Sequence, residues 1–428
     1  MSKTGDKWQW IVGHAPPPLD PHSKVKHQLV RDYLYKYIGV LMANEKMPRL
    51  KLTLVDGFAG GGLYTDDNGI APGSPLIMLQ TAREAEVYLN VARTQKPREV
   101  DTRYHFVEPN PSSFEHLTRT LKAEDYGSRI GKDILLYNNK FESVCANIVE
   151  AAATHKGGQR ALFLLDQYAY NDIAMPTVRS IFQNLKGAEV ILTFNVDSLL
   201  TFLTDSKQFR SITQRIGLEQ YINWTDIARL KAGSYWRQMI QRQISHGIWR
   251  ASGARFMTLF FVTPKGNRPW SYWLVHLSNA YRANDVMKTV HWDHGNSFGH
   301  SLEGGFFEIG YEANRDIDVT SQTQMNFMET SAFDEALRLR SVETLQDLLP
   351  RMIYNNPNGI LFNDLMSQIA NQTTATEKIV KESLHAGVAA KEVQAIIEGG
   401  GLRSKGTSIH GKDILIPHRQ RSIFLGHL

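Results

Sequence analysis

Apolar residues recur along the first two thirds of the chain in two rhythms, and their alternation predicts the fold. Short runs rich in leucine, valine and aromatic residues, KLTLVD, YHFVEP, ILLYNN, RALFLLDQY and AEVILTFNV, have the length and composition of strands and end in acids or asparagines. Helically spaced stretches lie around them. Val25, Leu29, Val30, Tyr33, Leu34, Tyr37 and Leu41 mark one amphipathic helix from about Ser23 to Ala43. Ahead of it the HAPPPLD segment is expected to be extended, because its prolines fix φ and remove donors. EHLTRTLKAE follows the second strand and VCANIVEAAATH the third. Strands alternating with helices predict an α/β fold, a parallel sheet covered on both faces. A helical insertion is expected at about 199–250, and beyond it ARFMTLFFVTP and SYWLVHLS flank the turn KGNRPW as an antiparallel hairpin.

The texture then changes. Polar residues dominate between about Asn314 and Thr330, which predicts a boundary between a domain of residues 1–320 and a second of residues 330–428. In the second, SAFDEALRLRSVETLQDLLPRMIY, LFNDLMSQIA and ATEKIVKESLHAG read as helices, and AKEVQAIIEGGG as a further helix closed by glycines. LRSKGTSIHGKDILIPH reads as a glycine-turned β-ribbon. Helices followed by a hairpin predict a winged-helix domain.

Composition narrows the picture in three ways. At 428 residues, 42% hydrophobic and 21% charged, the chain is long enough for two cores and has the balance of a globular protein. No apolar run approaches the roughly 20 residues needed to cross a bilayer, and MSKTGDKWQW lacks the apolar stretch of a signal peptide, so a cytoplasmic protein without membrane partners is expected. The single cysteine, Cys145, excludes an internal disulfide and thiolate metal clusters within this chain. A formal charge of +5 permits a polyanionic partner without requiring one.

Candidate chemistry gathers at the predicted strand ends. VDGFAGGG joins a strand to a glycine turn at the place where open parallel sheets bind ligands. Asp56, with the amides of Gly57, Phe58, Ala59, Gly60 and Gly62, is placed to hold the amino-acid end of a cofactor; the alternative is that the glycines only make a tight turn. Glu108 ends the next strand, where a carboxylate accepts both hydroxyls of a ribose, unless it is a surface acid of a βα loop. Asn138 and Asn139 end the third strand, a position for a polar residue against an adenine ring, and Asn139 is the candidate contact. Asp166-Gln167-Tyr168-Ala169-Tyr170 ends the fourth. Methylation of an exocyclic amine needs acceptors beside the nitrogen and an aromatic face for the base; Asp166 and the Gln167 carbonyl supply the first, Tyr168 or Tyr170 the second. The same loop is also explained by cofactor contact without base chemistry. An acid at position 166 is not expected to matter for stability.

Three further clusters have two readings each. His291-Trp292-Asp293-His294 offers metal-type ligands in a short loop, but with no further ligand cluster it reads as a loop whose tryptophan packs on the sheet, and no metal is expected. Trp270, Tyr272 and Trp273 either stack bases or form the inner face of the last hairpin. Arg403, Lys405, Lys412 and Arg419, with Arg421, face a lone acid, Asp413, and form either a phosphate-contacting wing or a protein-docking one.

The blocks KHQLVRDYL, LVDGFAGGGLY, PGSPLIML, YHFVEPNPSSFEHL and LFLLDQYAY, in that order, resemble the three-Cys-motif partner proteins, a bacterial family found beside a companion that carries three cysteines. More distantly they are similar to the bacterial 23S ribosomal RNA adenine-N6 methyltransferase, with its lysine–histidine helix, D-x-x-A-G-x-G-x-Y turn, P-G-S-P and D-P-P-Y. The resemblance covers about residues 8 to 310. It implies a class I methyltransferase-like Rossmann fold, S-adenosylmethionine as cofactor, a nucleic-acid substrate and a three-cysteine companion protein. It also implies roles: Lys26 and His27 approach the cofactor or base, Asp56 to Tyr64 form the cofactor loop, Gly73-Ser74-Pro75 shape the pocket, and Glu108 holds the ribose. Asp166 and Tyr168 then complete the catalytic set. The fourth-strand motif departs from the RNA enzyme: Gln167 and Tyr168 stand in place of both prolines and Ala169 in place of the aromatic.

Overall fold

The computed structural model describes residues 9–155, 159–225, 227, 231, 236–262, 272–294, 300–301 and 333–418. It divides into two compact units, Met1–Val290 and His291–Leu428. The polar stretch expected to hold the domain boundary lies outside the described residues. Among those described, no helix is long and apolar enough to cross a membrane.

In the first unit, α1 (Pro21–Leu41) begins where the Asp20 carboxylate accepts the His22 amide and proline enters at the first turn. Strand β1 (Arg49–Asp56) leads through the glycine turn into a small hairpin, β2 (Leu63–Asp66) and β3 (Gly69–Pro72), and then α2 (Ser74–Asn90). The βα rhythm continues with β4 (Glu99–Val107), α3 (Pro111–Ala123), β5 (Ile134–Tyr137), α4 (Phe141–Thr154), β6 (Arg160–Leu165), α5 (Met175–Asn184) and β7 (Gly187–Phe194). Helices α6 (Val196–Phe202), α7 (Lys207–Arg215) and α8 (Trp236–Ser252) precede the closing pair, β8 (Phe256–Val262) and β9 (Tyr272–Ser278).

The strands of this unit run in the order β8-β9-β7-β6-β1-β4-β5. From β7 to β5 all pairs are parallel, whereas β9 runs antiparallel to both β7 and β8, as the expected terminal hairpin requires. Leu52, Leu54, Leu162, Phe163, Val190 and Ile191 are fully buried, which is why these strands read as unbroken apolar runs. Cys145 is buried on α4. Helix α1 buries Leu29, Tyr33, Leu34 and Ile38, and the Tyr33 hydroxyl donates to Glu189 of β7, whose Oε2 also lies 3.0 Å from His276 Nε2 on β9. The chain reverses direction of travel at β1: β4 and β5 lie on one side, β6 and β7 on the other. A ligand crevice opens at such a switch point.

Helix α9 (Tyr281–His294) reaches the second unit. His291-Trp292-Asp293-His294 is its last turn, not a loop, and Trp292 has partners within the second unit. Its Nε1 donates to the Thr374 carbonyl at 2.9 Å and its ring meets Phe333 edge-on at 5.0 Å. Among the described residues no cluster of three or more acids, histidines or cysteines is arranged to hold a metal. The second unit contains α10 (Glu335–Tyr354), β10 (Ile360–Leu361), α11 (Phe362–Ile369), α12 (Glu377–Ala389), β11 (Val393–Ile396) and β12 (Ile414–Pro417). The strands form an antiparallel sheet in the order β10-β12-β11. The expected fourth helix, AKEVQAIIEGGG, is instead strand β11: Lys391 takes φ 56° after α12 ends, and Val393 and Ala395 then turn inward at period two. Likewise LRSKGTSIHGKDILIPH supplies one strand, β12, rather than a whole ribbon, with a short turn at Gly406–Ser408 before it.

Candidate cofactor site

The switch point collects the strand ends. Asp56 closes β1, Asp166 follows β6, and the two strands are paired in register with Asp56 opposite Leu164. Asp56 is fully buried: Oδ1 accepts the Phe58 amide at 3.0 Å, while Oδ2 is buried with no hydrogen-bond partner. Burial pushes its carboxyl up to about 7, against the opposing pull of the Ser74 side chain and the Phe58 amide. On the other side of β1, Glu108 follows β4. Its Oε2 accepts the Gly60 amide at 2.9 Å and its Oε1 the Asn110 amide at 2.8 Å, leaving one lone pair on each oxygen for a ligand hydroxyl. Burial raises the Glu108 carboxyl, and those two amides hold it back. Ala59 donates to the Val107 carbonyl and Gly57 to that of Leu164, so the turn is laced to both neighbouring strands.

The lysine–histidine pair of α1 is brought to the same place. Lys26 Nζ lies 2.5 and 2.6 Å from the two Asp166 oxygens and 5.5 Å from the centre of the Tyr272 ring. Burial pushes the Asp166 carboxyl up, but the Lys26 ammonium beside it, helped by the Thr193 side chain and His27, holds it below the ordinary value. His27, tilted over Tyr64 at 5.7 Å, is driven down to about 4 by burial and by Lys26, so it is neutral at physiological pH, and its Nδ1 is buried without a partner. Gln167 is buried; its Oε1 accepts the Ile173 amide at 2.9 Å and its Nε2 has no partner. Tyr168 is 66% exposed, whereas Tyr170 is buried against Phe194 and Phe209 and so offers no free face.

Other candidates lie further off the centre. Asn138 donates to the carbonyls of Glu108 and Pro109, which braces the β4 loop, while Asn139 is exposed at the end of β5. Gly73 caps α2 and its amide donates to the Gly62 carbonyl at 2.8 Å, joining the P-G-S-P block to the glycine turn. Tyr272 and Trp273 are buried in β9, Trp273 stacked on Phe194, and Trp270 lies outside the described residues. In the second unit Arg403 is paired with the buried Asp413 at 2.8 Å, and Lys412 meets Glu398 at 3.2 Å, so neither stands apart from acids as a plain basic wing would have it. Arg419 and Arg421 lie outside the described residues. One contributor was missed in the sequence altogether. Trp10 lies against the glycine turn, and no local pattern marks it.

Residues 312–400 match the model of the GMT-like wHTH domain. Parallel strands ending in an antiparallel hairpin, followed by this domain, decide the architecture. The fold is methyltransferase-like, with a C-terminal winged helix. Similar solved structures include LPL1258 from Legionella pneumophila, of the DUF519 family, at TM-score 0.37 and 11% identity over 64% of this chain and 90% of that one. Another is the bifunctional kinase-methyltransferase WbdD, at TM-score 0.34 and 12% identity over 65% of this chain and 45% of that one. A third is yhhF from Escherichia coli, at TM-score 0.24 and 9% identity over 58% of this chain and 86% of that one. No curated protein sequence matches the chain.

Proposed function

We propose that the chain is an S-adenosylmethionine-dependent methyltransferase acting on nucleic acid, adenine-N6 in type by its resemblance to the ribosomal RNA enzyme. The observation that carries the reading is Asp56, buried at the switch point between Glu108 and Asp166, with Oδ2 outside hydrogen-bond reach of any protein donor and the Ser74 side chain close by. A buried acceptor left without a partner is costly unless a ligand donor answers it, and an amino-acid ammonium does so. Glu108 then receives the ribose hydroxyls through the lone pairs its backbone amides leave free, and Asn139 flanks the adenine. The bound cofactor supplies an electrophilic methyl. Around it, Lys26 keeps Asp166 ionised as an acceptor for an amine N–H, the Gln167 carbonyl offers a second, and exposed Tyr168 gives a stacking face. Neutral His27, packed against Tyr64, adds no charge beside them. Lys405 and Lys412 of the winged helix would meet the phosphate backbone.

A second reading is a cofactor-binding partner subunit of a three-cysteine companion, with little transferase activity. It is favoured by one feature: both Asp166 oxygens are already taken by Lys26, in a loop that lacks the prolines and fourth-position aromatic of the RNA enzyme. Calorimetry with S-adenosylhomocysteine tests the shared core of both readings. Glu108→Ala is expected to weaken binding about tenfold or more, since a charged hydrogen bond is worth on the order of 1.5–3 kcal/mol. Transfer of labelled methyl to total nucleic acid, with and without the companion, separates them: label on nucleic acid supports the enzyme, and cofactor binding without transfer supports the partner subunit.

A further inference from the structure

The glycine turn is held from outside by Trp10. A Cβ added to Gly61 would fall 2.1 Å from Trp10 Cγ, and one added to Gly60 would lie 3.0 Å from Cη2. Trp10 is itself firmly seated. Its Nε1 donates to the Leu63 carbonyl at 2.6 Å, its carbonyl accepts Ser112 Oγ at 2.5 Å, and its ring meets Tyr64 edge-on at 5.2 Å. Behind it the proline segment is bonded to β2, Leu19 donating to the Thr65 carbonyl at 2.7 Å and Thr65 to that of Pro17 at 2.9 Å. The neighbouring glycines are also filled by protein: Gly57 faces Leu165 and Phe141, and Gly62 faces Leu117 and Thr120. The space left by the missing side chains at 60 and 61 therefore belongs to an indole and not to a ligand, while the left-handed φ of +59° at Gly60 adds its own demand for glycine.

A turn this rich in glycine has more conformational freedom to lose than any other sequence, and a ligand that had to order it would bind weakly. Trp10 orders it in advance. With the indole in place, the Gly60 amide is directed at Glu108 Oε2 at 2.9 Å, which fixes the carboxylate assigned above to the ribose. We propose that Trp10 is a positioning residue of the cofactor site, a wedge that sets the 60–62 turn and, through the Gly60–Glu108 bond, the orientation of Glu108. This rests on the reading of Asp56 and Glu108 as cofactor ligands.

The test is a double-mutant cycle of Trp10→Ala, Gly61→Ala and their combination, with Trp10→Phe as the conservative variant. Two readouts are followed alongside the melting temperature: affinity for S-adenosylhomocysteine, and hydrogen exchange of the 57–63 amides without ligand. Trp10→Ala and Gly61→Ala are each expected to speed exchange at Gly60 and to weaken binding roughly tenfold, as loss of preorganisation does. In the Trp10→Ala background Gly61→Ala should do less damage than in the natural chain, because Cγ and Cδ1 are gone and only the residue-10 Cβ, 2.7 Å away, remains to be struck. Trp10→Phe should recover part of both. Exchange unchanged in Trp10→Ala, or equal damage from Gly61→Ala with and without the indole, overturns the proposal. If the natural chain binds no S-adenosylhomocysteine, the cofactor reading fails, and the exchange cycle alone decides whether Trp10 sets the turn.

Discussion

Both oxygens of Asp166 receive Lys26, and the two side chains are only 23% and 14% exposed, so removing the acid acts on stability as well as on chemistry. A largely buried cation left without its partner costs about 3–5 kcal/mol. The sequence, which shows a strand end but not the lysine 140 positions away, suggests that the acid is dispensable for folding; the ion pair says otherwise. Asp166→Ala should therefore lower the melting temperature and abolish transfer together. Lys26→Met combined with Asp166→Asn should regain most of the melting temperature and none of the transfer, and methylation by the double variant would remove Asp166 from the chemistry. At Asp56 the folded-state value, about 7, lies above the usual carboxylate range, so folding favours the protonated form. That contribution is complete below the ordinary value of 3.8 and is lost as pH rises to about 7, so Asp56→Asn should flatten the fall in melting temperature between about pH 4 and 7. A ligand ammonium beside Oδ2 would pull the value down, so binding at about pH 6 should release protons. Calorimetry in buffers of different ionisation enthalpy reads this, and heats independent of buffer would place the ammonium elsewhere.

The parallel strands were legible because burial on both faces writes them as continuous apolar runs, and Asp56, Glu108 and Asp166 were legible because each stands directly after such a run. Strand β11 was not. Its four residues, Val393–Ile396, are too short to separate a period of two from one of 3.6, and the choice is made by pairing with β12, which lies beyond a long loop. Trp10 was illegible for a related reason, since its hydrogen bond to Leu63 spans 53 positions. The loop between β11 and β12 supplies its own test. A Cβ on Gly406 would lie 2.3 Å from the His385 amide nitrogen, so this turn is seated on the backbone of α12. Gly406→Ala should destabilise the second unit by about 1–3 kcal/mol, seen as faster hydrogen exchange along α12 in the full chain. Protection left unchanged would mean that the turn can lift away at no cost.

On the scale of the whole molecule, the question is whether a winged helix on a methyltransferase-like sheet holds nucleic acid. The wing is less basic in effect than its sequence suggests, because Asp413 is buried and takes the Arg403 guanidinium. The Lys412–Glu398 pair, by contrast, is 75% and 72% exposed and is easily exchanged for a phosphate. Charge reversal of Lys405 and Lys412 in the full chain should therefore weaken nucleic-acid binding. Each lost phosphate contact should reduce the slope of log affinity against log salt by roughly 0.7–0.9. Arg403→Ala should instead lower stability, by stranding Asp413. Affinity and slope untouched by the double reversal, with binding to a three-cysteine companion lost, would assign the domain to docking.

Cys145 gives the chain an experimental convenience that follows from its place on α4. It is the sole cysteine of 428 residues, it is buried, and burial pushes its thiol up to about 12, so at neutral pH the reactive thiolate is all but absent. Maleimides and methanethiosulfonates will pass it by in the folded protein. Any cysteine introduced at a surface position, Tyr168 for instance, then becomes the one handle for a dye, a spin label or a cross-linker, on a natural background that needs no prior substitution. Reaction of the native thiol, conversely, becomes a readout of unfolding of the sheet domain that requires no engineering at all.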